Sequence, residues 1–187
     1  MFIAQKLRDK NIAEYLLYMW QTEDIVRAYG CDAERIAKEY IPKFKLSADD
    51  AAKAAKWYAN LCDMMRSEGV KERGHLQINK NVVSSLSELS QQLLESHNFK
   101  QYHSAYFHAL PDIMELRRKG NDSSLSDIEV CFNALYGVML LKMEGKEVSE
   151  GTATAVKEIS KVVALLAAYY KKNQTEPLNF SGDTEVV

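Results

Sequence analysis

Apolar residues recur along this chain at three- and four-residue spacing, the period of a helix with one buried face, and show no sustained two-residue alternation. From Asn11 to Gly30 the residues Ile12, Leu16, Met19 and Val26 align on one side, which predicts a long amphipathic helix stopped by Gly30. Asp32 caps a short helix through Glu39, ending before Pro42, and Ser47 with Asp50 opens a third to about Glu68. That third helix carries Ala51, Ala54, Ala55, Tyr58, Leu61, Cys62 and Met65 on one side, and Gly69 ends it.

The stretch "VKERGHLQINKN", residues 70–81, reads as a loop, after which Val82, Leu86, Leu89 and Leu93 mark a fourth helix. A fifth carries Phe99, Tyr102, Tyr106, Ala109, Ile113 and Leu116, with Pro111 expected to kink or break it after Leu110. Ser126 and Glu129 open a sixth helix to about Met143, apolar on nearly every face and therefore placed at the centre of the fold. Thr152 opens the seventh, with Val156, Ile159, Val163, Leu166, Ala167 and Tyr170 as its stripe. The architecture that follows is all-α, an antiparallel bundle of about six or seven helices. It forms a single domain over residues 1–172, and the aperiodic residues 173–187 form a flexible tail.

Composition narrows the function classes. Hydrophobic residues at 47% and charged residues at 27% supply an ordinary globular core without staples. A formal charge of −2 lacks the broad basic field of a nucleic-acid binder, and the clusters Arg117–Lys119 and Lys171–Lys172 sit at helix ends, where cations complement the dipole. No membrane partner is expected: the opening "MFIAQKLRDK" has no signal-peptide pattern, and the longest apolar stretch, "VCFNALYGVMLLKM", contains Asn133 and Lys142. Cys31, Cys62 and Cys131 form no CxxC, which suits buried reduced thiols and a cytoplasmic address.

Candidate chemistry is sparse. His97, His103 and His108 point in different directions around one helix and cannot share a metal, His103 lying with Phe107, Leu110 and Met114 on a packed side and His108 on the polar side. The one ExxH pair, Glu72 to His75, is broken by Gly74, so a di-iron site is not expected. No zinc-peptidase, P-loop or nucleophile-elbow signature occurs. No catalytic residue, metal ligand or cofactor is therefore assigned.

One residue breaks the pattern: Glu23 lies on the apolar stripe with Ile12, Leu16 and Met19. A carboxylate there recruits a cation, and Arg27, one turn on, is the nearest, with a cation from another helix as the alternative. A structural pair is the favoured reading over a functional acid. The functional alternative is an interhelical ligand pocket, with Tyr15 and Trp20 flanking Glu23 and Arg27, and Tyr102, His103 and Tyr106 as the opposite wall. Trp57 and Met64 lie on the flank of the third helix beside Lys53, which suggests a homodimer surface.

The opening stretch, most specifically "AEYLLYMWQTED", resembles a bacterial family of the Bacteroides group, the domain of unknown function numbered four-nine-two-four. The resemblance implies a cytoplasmic bacterial protein and carries no catalytic residues with it. The expected function is a non-enzymatic helical binding or interaction module, with a ligand-binding protein or enzyme at the Glu23 pocket as the alternative.

Overall fold

A computed structural model describes residues 2–120 and 124–181, and among these residues there are eight α-helices, one 3-10 turn and no strand. The expected all-α fold is present, with one more helix than the upper count. The extra helix lies ahead of Asn11, where the first expected helix begins. The chain forms α1 (Phe2–Lys10), interrupts at Asn11, and resumes as α2 (Ile12–Ala28), with the Asn11 side chain accepting from the Ala13 N–H at 3.0 Å as an N-cap does.

Most boundaries follow the capping chemistry. Asp32 accepts from the Arg35 N–H and opens α3 (Ala33–Glu39), which leads into the 3-10 turn Ile41–Phe44. Ser47 opens α4 (Ala48–Ser67) by accepting from the Asp50 N–H. At the far end of α4, Gly69 adopts φ +69°, and bonds from the Gly69 and Val70 N–H groups back to Arg66 and Met65 close the helix in a Schellman motif. Next come α5 (Gln77–Glu95) and α6 (Lys100–Gly120), and Ser126 and Ser149 cap α7 (Asp127–Met143) and α8 (Glu150–Thr175).

Contacts sort the chain into two compact units. The first combines α1 with Glu14–Val82, and the second combines Asn11–Ala13 with the residues from Val83 onward. In the first, α3 packs on α4 and on the 3-10 turn, and Leu16, Trp20, Val26, Ile36, Cys62 and Met65 are buried. In the second, α6, α7 and α8 pack on one another around Tyr102, Ala109, Ile113, Phe132, Ile159 and Leu166.

Several expectations need correction. Helix α5 starts at Gln77, so the second half of the expected loop is helical, and α6 runs unbroken through Pro111, which lies on its exposed side. Phe107 and Met114, expected with His103 on a packed side, are 60% and 63% exposed, although the Phe107 ring does meet the His103 ring edge-on. Helix α8 continues to Thr175, past Asn173, where the tail was expected to begin. Beyond it Asn173 Oδ1 accepts from the Leu178 N–H, the Phe180 ring meets Phe99, and Asn98 donates to the Asn179 carbonyl. Residues 182–187 of that tail lie outside the described residues.

The centre-of-fold expectation for α7 holds for only half of the helix. Ile128, Val130, Cys131 and Phe132 are buried, but Leu140 and Leu141 are only half-buried and Met143 is 61% exposed. No helix among the described residues is long and apolar enough to cross a membrane.

Candidate functional site

Glu23 is completely buried, as are its stripe neighbours Leu16 and Val26, while Glu14 on the opposite side is exposed. Its partners come from the segment that enters α5. Glu23 Oε1 accepts from the Leu76 backbone N–H at 2.9 Å and from Asn79 Nδ2 at 2.7 Å, and Oε2 accepts from His75 Nδ1 at 2.6 Å. Leu76 occupies the N-cap position of α5, its carbonyl accepting from the Asn79 and Lys80 N–H groups, and its side chain has no acceptor to offer. Glu23 supplies the missing acceptor from a different helix. Glu68 does the same for the next residue, accepting from the Gln77 N–H at 2.6 Å. Two carboxylates thus meet the positive end of the α5 dipole.

Arg27 does more than the pairing with Glu23 expected of it. Its Nη2 lies 4.0 Å from Glu23, at the edge of ion-pair range, while its stronger bonds go to Asp24 at 2.6 Å and to the carbonyls of Val70 and Gly74. The guanidinium therefore ties down the loop whose far end Glu23 caps. Gly74 turns that loop with φ +87°. Trp20 completes the cluster by stacking on the His75 ring at 4.1 Å and 13° between planes.

Of the six candidate ligand-binding residues, Trp20, Glu23 and Arg27 gather in this cluster in the first unit. Tyr102, His103 and Tyr106 belong to the second unit, where each has its own partner. Tyr102 shares a 2.7 Å hydrogen bond with Ser90, His103 Nε2 donates to the Leu93 carbonyl at 2.8 Å, and the Tyr106 hydroxyl donates to Asp127. Asp127 also accepts from Arg117. Burial pushes the Tyr102 and Tyr106 hydroxyls well above the ordinary phenol range, and the Asp127 carboxylate pushes Tyr106 further.

Sequence reasoning missed His75 and Asn79. The available signal was a helix beginning at an apolar residue with no capping side chain, in a chain that also held an unexplained buried acid. A histidine held at Nδ1 by a carboxylate can present Nε2 as a base or a metal ligand. Here the ring is about one-quarter exposed and, among the described residues, no hydroxyl or thiol is bonded to it. Among the described residues no group of three or more His, Cys, Asp or Glu could hold a metal.

The second unit contains an open cleft of about 820 Å³. Asp112, Glu115, Leu116 and Lys119 of α6 line one side and Gly151, Thr152, Ala155 and Val156 of α8 another. Helix α7 forms the floor with Ala134, Gly137, Val138, Leu140 and Leu141. These are helical stripes facing a common space. A Cβ built at Gly137 would meet nothing within 4 Å, so close helix packing does not require a glycine there. On the rim, the Lys119 ammonium pairs with Glu115 at 2.6 Å and holds its carboxyl below the usual carboxylate range, and Lys146 pairs with Glu144 at 2.6 Å. A smaller cleft of about 500 Å³ in the first unit is lined by Trp57 and Met64, both half-buried, with Arg8, Tyr15, Met19 and Ile78.

The family model for a domain of unknown function, DUF4924, matches residues 1–177. The chain belongs to this family. The match spans every described helix of both units, so the Glu23 cluster and the α6–α7–α8 cleft both lie within the family domain. No curated protein matches the chain, and no solved structure does. The family description assigns no residue a role, so function rests on the geometry above.

Proposed function

We propose that this DUF4924 protein is a non-enzymatic binding protein whose ligand site is the α6–α7–α8 cleft. The observation that carries the reading is the second half of α7. This segment is apolar on nearly every face, and its Leu140 and Leu141 face open space. Leaving such surface uncovered forgoes about 25 cal/mol per Å² of burial, so a ligand that covers it recovers a driving force the fold leaves unused. The cleft volume falls within the range of about 300–1,000 Å³ typical of small-molecule sites. Gly137 supports the same reading, because an interior helical glycine costs about 1 kcal/mol relative to alanine and here keeps the cleft floor open.

The Glu23 cluster has a structural task, capping α5 and holding the loop ahead of it. Three of the roughly four acceptor sites of Glu23 are taken up by the Leu76 N–H, Asn79 and His75, and the side chain is wholly buried away from solvent. The three buried cysteines, all reduced, suit a cytoplasmic address.

The test uses phenylbutanol, a neutral probe with an aromatic body, titrated into the protein with amide-resolved NMR detection. Shifts should concentrate on residues 112–119, 133–144 and 149–156, and Gly137→Leu, which fills the floor, should abolish them while leaving helix content intact. Shifts elsewhere, or unchanged binding by Gly137→Leu, would overturn the assignment.

A further inference from the structure

The cleft is apolar at its floor and charged at its rim, and the rim is not balanced. Three carboxylates, Asp112, Glu115 and Glu144, face one lining ammonium, Lys119. Glu115 is neutralised by Lys119, and Glu144 by Lys146 just outside the lining. Asp112 is different. It is half-buried at the cleft wall, one turn before Leu116, and has no ion-pair or hydrogen-bond partner among the described residues.

Of the other polar lining groups, Asn133 is neutral, and Ser149 and Thr152 are already occupied by the fold. Ser149 Oγ accepts from the Thr152 N–H and shares a hydrogen bond with the Thr152 hydroxyl, so the first turn of α8 is capped from within. Glu150 sits in that same turn and offsets the positive end of the α8 dipole, which would otherwise favour an anion. Nothing on the cleft wall compensates Asp112.

From this charge pattern the geometry points to an amphipathic organic monocation as the ligand: an apolar body on Ala134, Val138, Leu141 and Val156, and one ammonium or guanidinium on Asp112. This inference rests on the cleft being a binding site and adds the chemical class of its occupant. A small molecule fits better than a helical peptide. The lining residues cover only two to three helical turns, roughly 10–17 Å at 1.5 Å per residue, and the volume is of small-ligand size. The cation gains a charge-assisted hydrogen bond where the carboxylate is partly shielded from water, and the body gains the burial that α7 leaves available.

The test compares three probes of one shape, phenylbutylamine, phenylbutanol and phenylbutyrate, by titration with the full chain and with Asp112→Asn. The amine should bind the parent about two- to fivefold more tightly than the alcohol, the range expected of a single partly exposed ion pair, and the carboxylate should bind most weakly. Asp112→Asn should remove the preference for the amine, bringing amine and alcohol to similar affinities, while helix content by circular dichroism equal to the parent's shows that the variant is folded. Equal affinities for all three probes, or an amine preference that survives Asp112→Asn, would overturn the cation assignment while the cleft remained a binding site. Failure of both amine and alcohol to bind would overturn both.

Discussion

A carboxylate on the apolar side of α2 persists because a second helix needs it. Helix α5 starts at Leu76, which cannot cap itself, and Glu23 provides the acceptor across 53 residues of sequence. Removing one side of a buried, fully bonded charge costs about 3–5 kcal/mol, so Glu23→Ala should lower the denaturant midpoint severely. Glu14→Ala, on the exposed side of the same helix, should stay within about 0.5 kcal/mol of the parent. In double-mutant cycles Glu23 should couple more strongly to His75, at 2.6 Å, than to Arg27, at 4.0 Å. Equal coupling would mean that Arg27 is the working partner after all. The buried position of Glu23 was readable from the helical period alone. Its partner was not, because His75 sits in a segment without period, and only the folded chain brings that segment onto α2.

Elements were most legible where a helix carries its own cap. Ser47, Ser126 and Asp32 each bond to a backbone N–H three residues on, and the helices they open begin where the sequence places them. Helix α5, capped from outside, was placed several residues late, and α1 was not read as a helix, because the nine residues ahead of Asn11 carry only a short apolar run. Helix α7 shows the opposite limit. Its all-round apolar pattern correctly signals burial for the first half, but cannot distinguish covering by the protein's own helices from covering by a ligand. Two substitutions probe this helix by thermal or denaturant unfolding. Ser126→Ala should cost about 1 kcal/mol, since the Glu129 N–H loses its acceptor and Ser87 its hydroxyl partner. Gly137→Ala should stabilise by up to about 1 kcal/mol, because its Cβ enters open space. A destabilising Gly137→Ala would indicate that the cleft floor is closed.

At the scale of the whole molecule, buried acids that ionise late set the alkaline limit of stability. Burial pushes the Cys131 thiol up to about 12 and the Cys62 thiol up to about 11, and raises Tyr58 and Tyr102 as well. In the unfolded chain these groups ionise near their ordinary values of about 8.5 for thiols and 10 for phenols. Above those values ionisation favours the unfolded state, so stability should be level through neutral pH and fall from about pH 9 upward. A pH series of unfolding midpoints checks this, and a thiol reagent at pH 8 should modify none of the three buried cysteines until denaturant is added. The proposed ligand site is the α6–α7–α8 cleft and not the Glu23 cluster. Hydrogen exchange of the whole chain, with and without a cell extract stripped of macromolecules, tests it most directly. A ligand in the cleft should slow exchange in peptides covering residues 112–119, 133–144 and 149–156. Protection centred instead on residues 20–27 and 70–79 would contradict it.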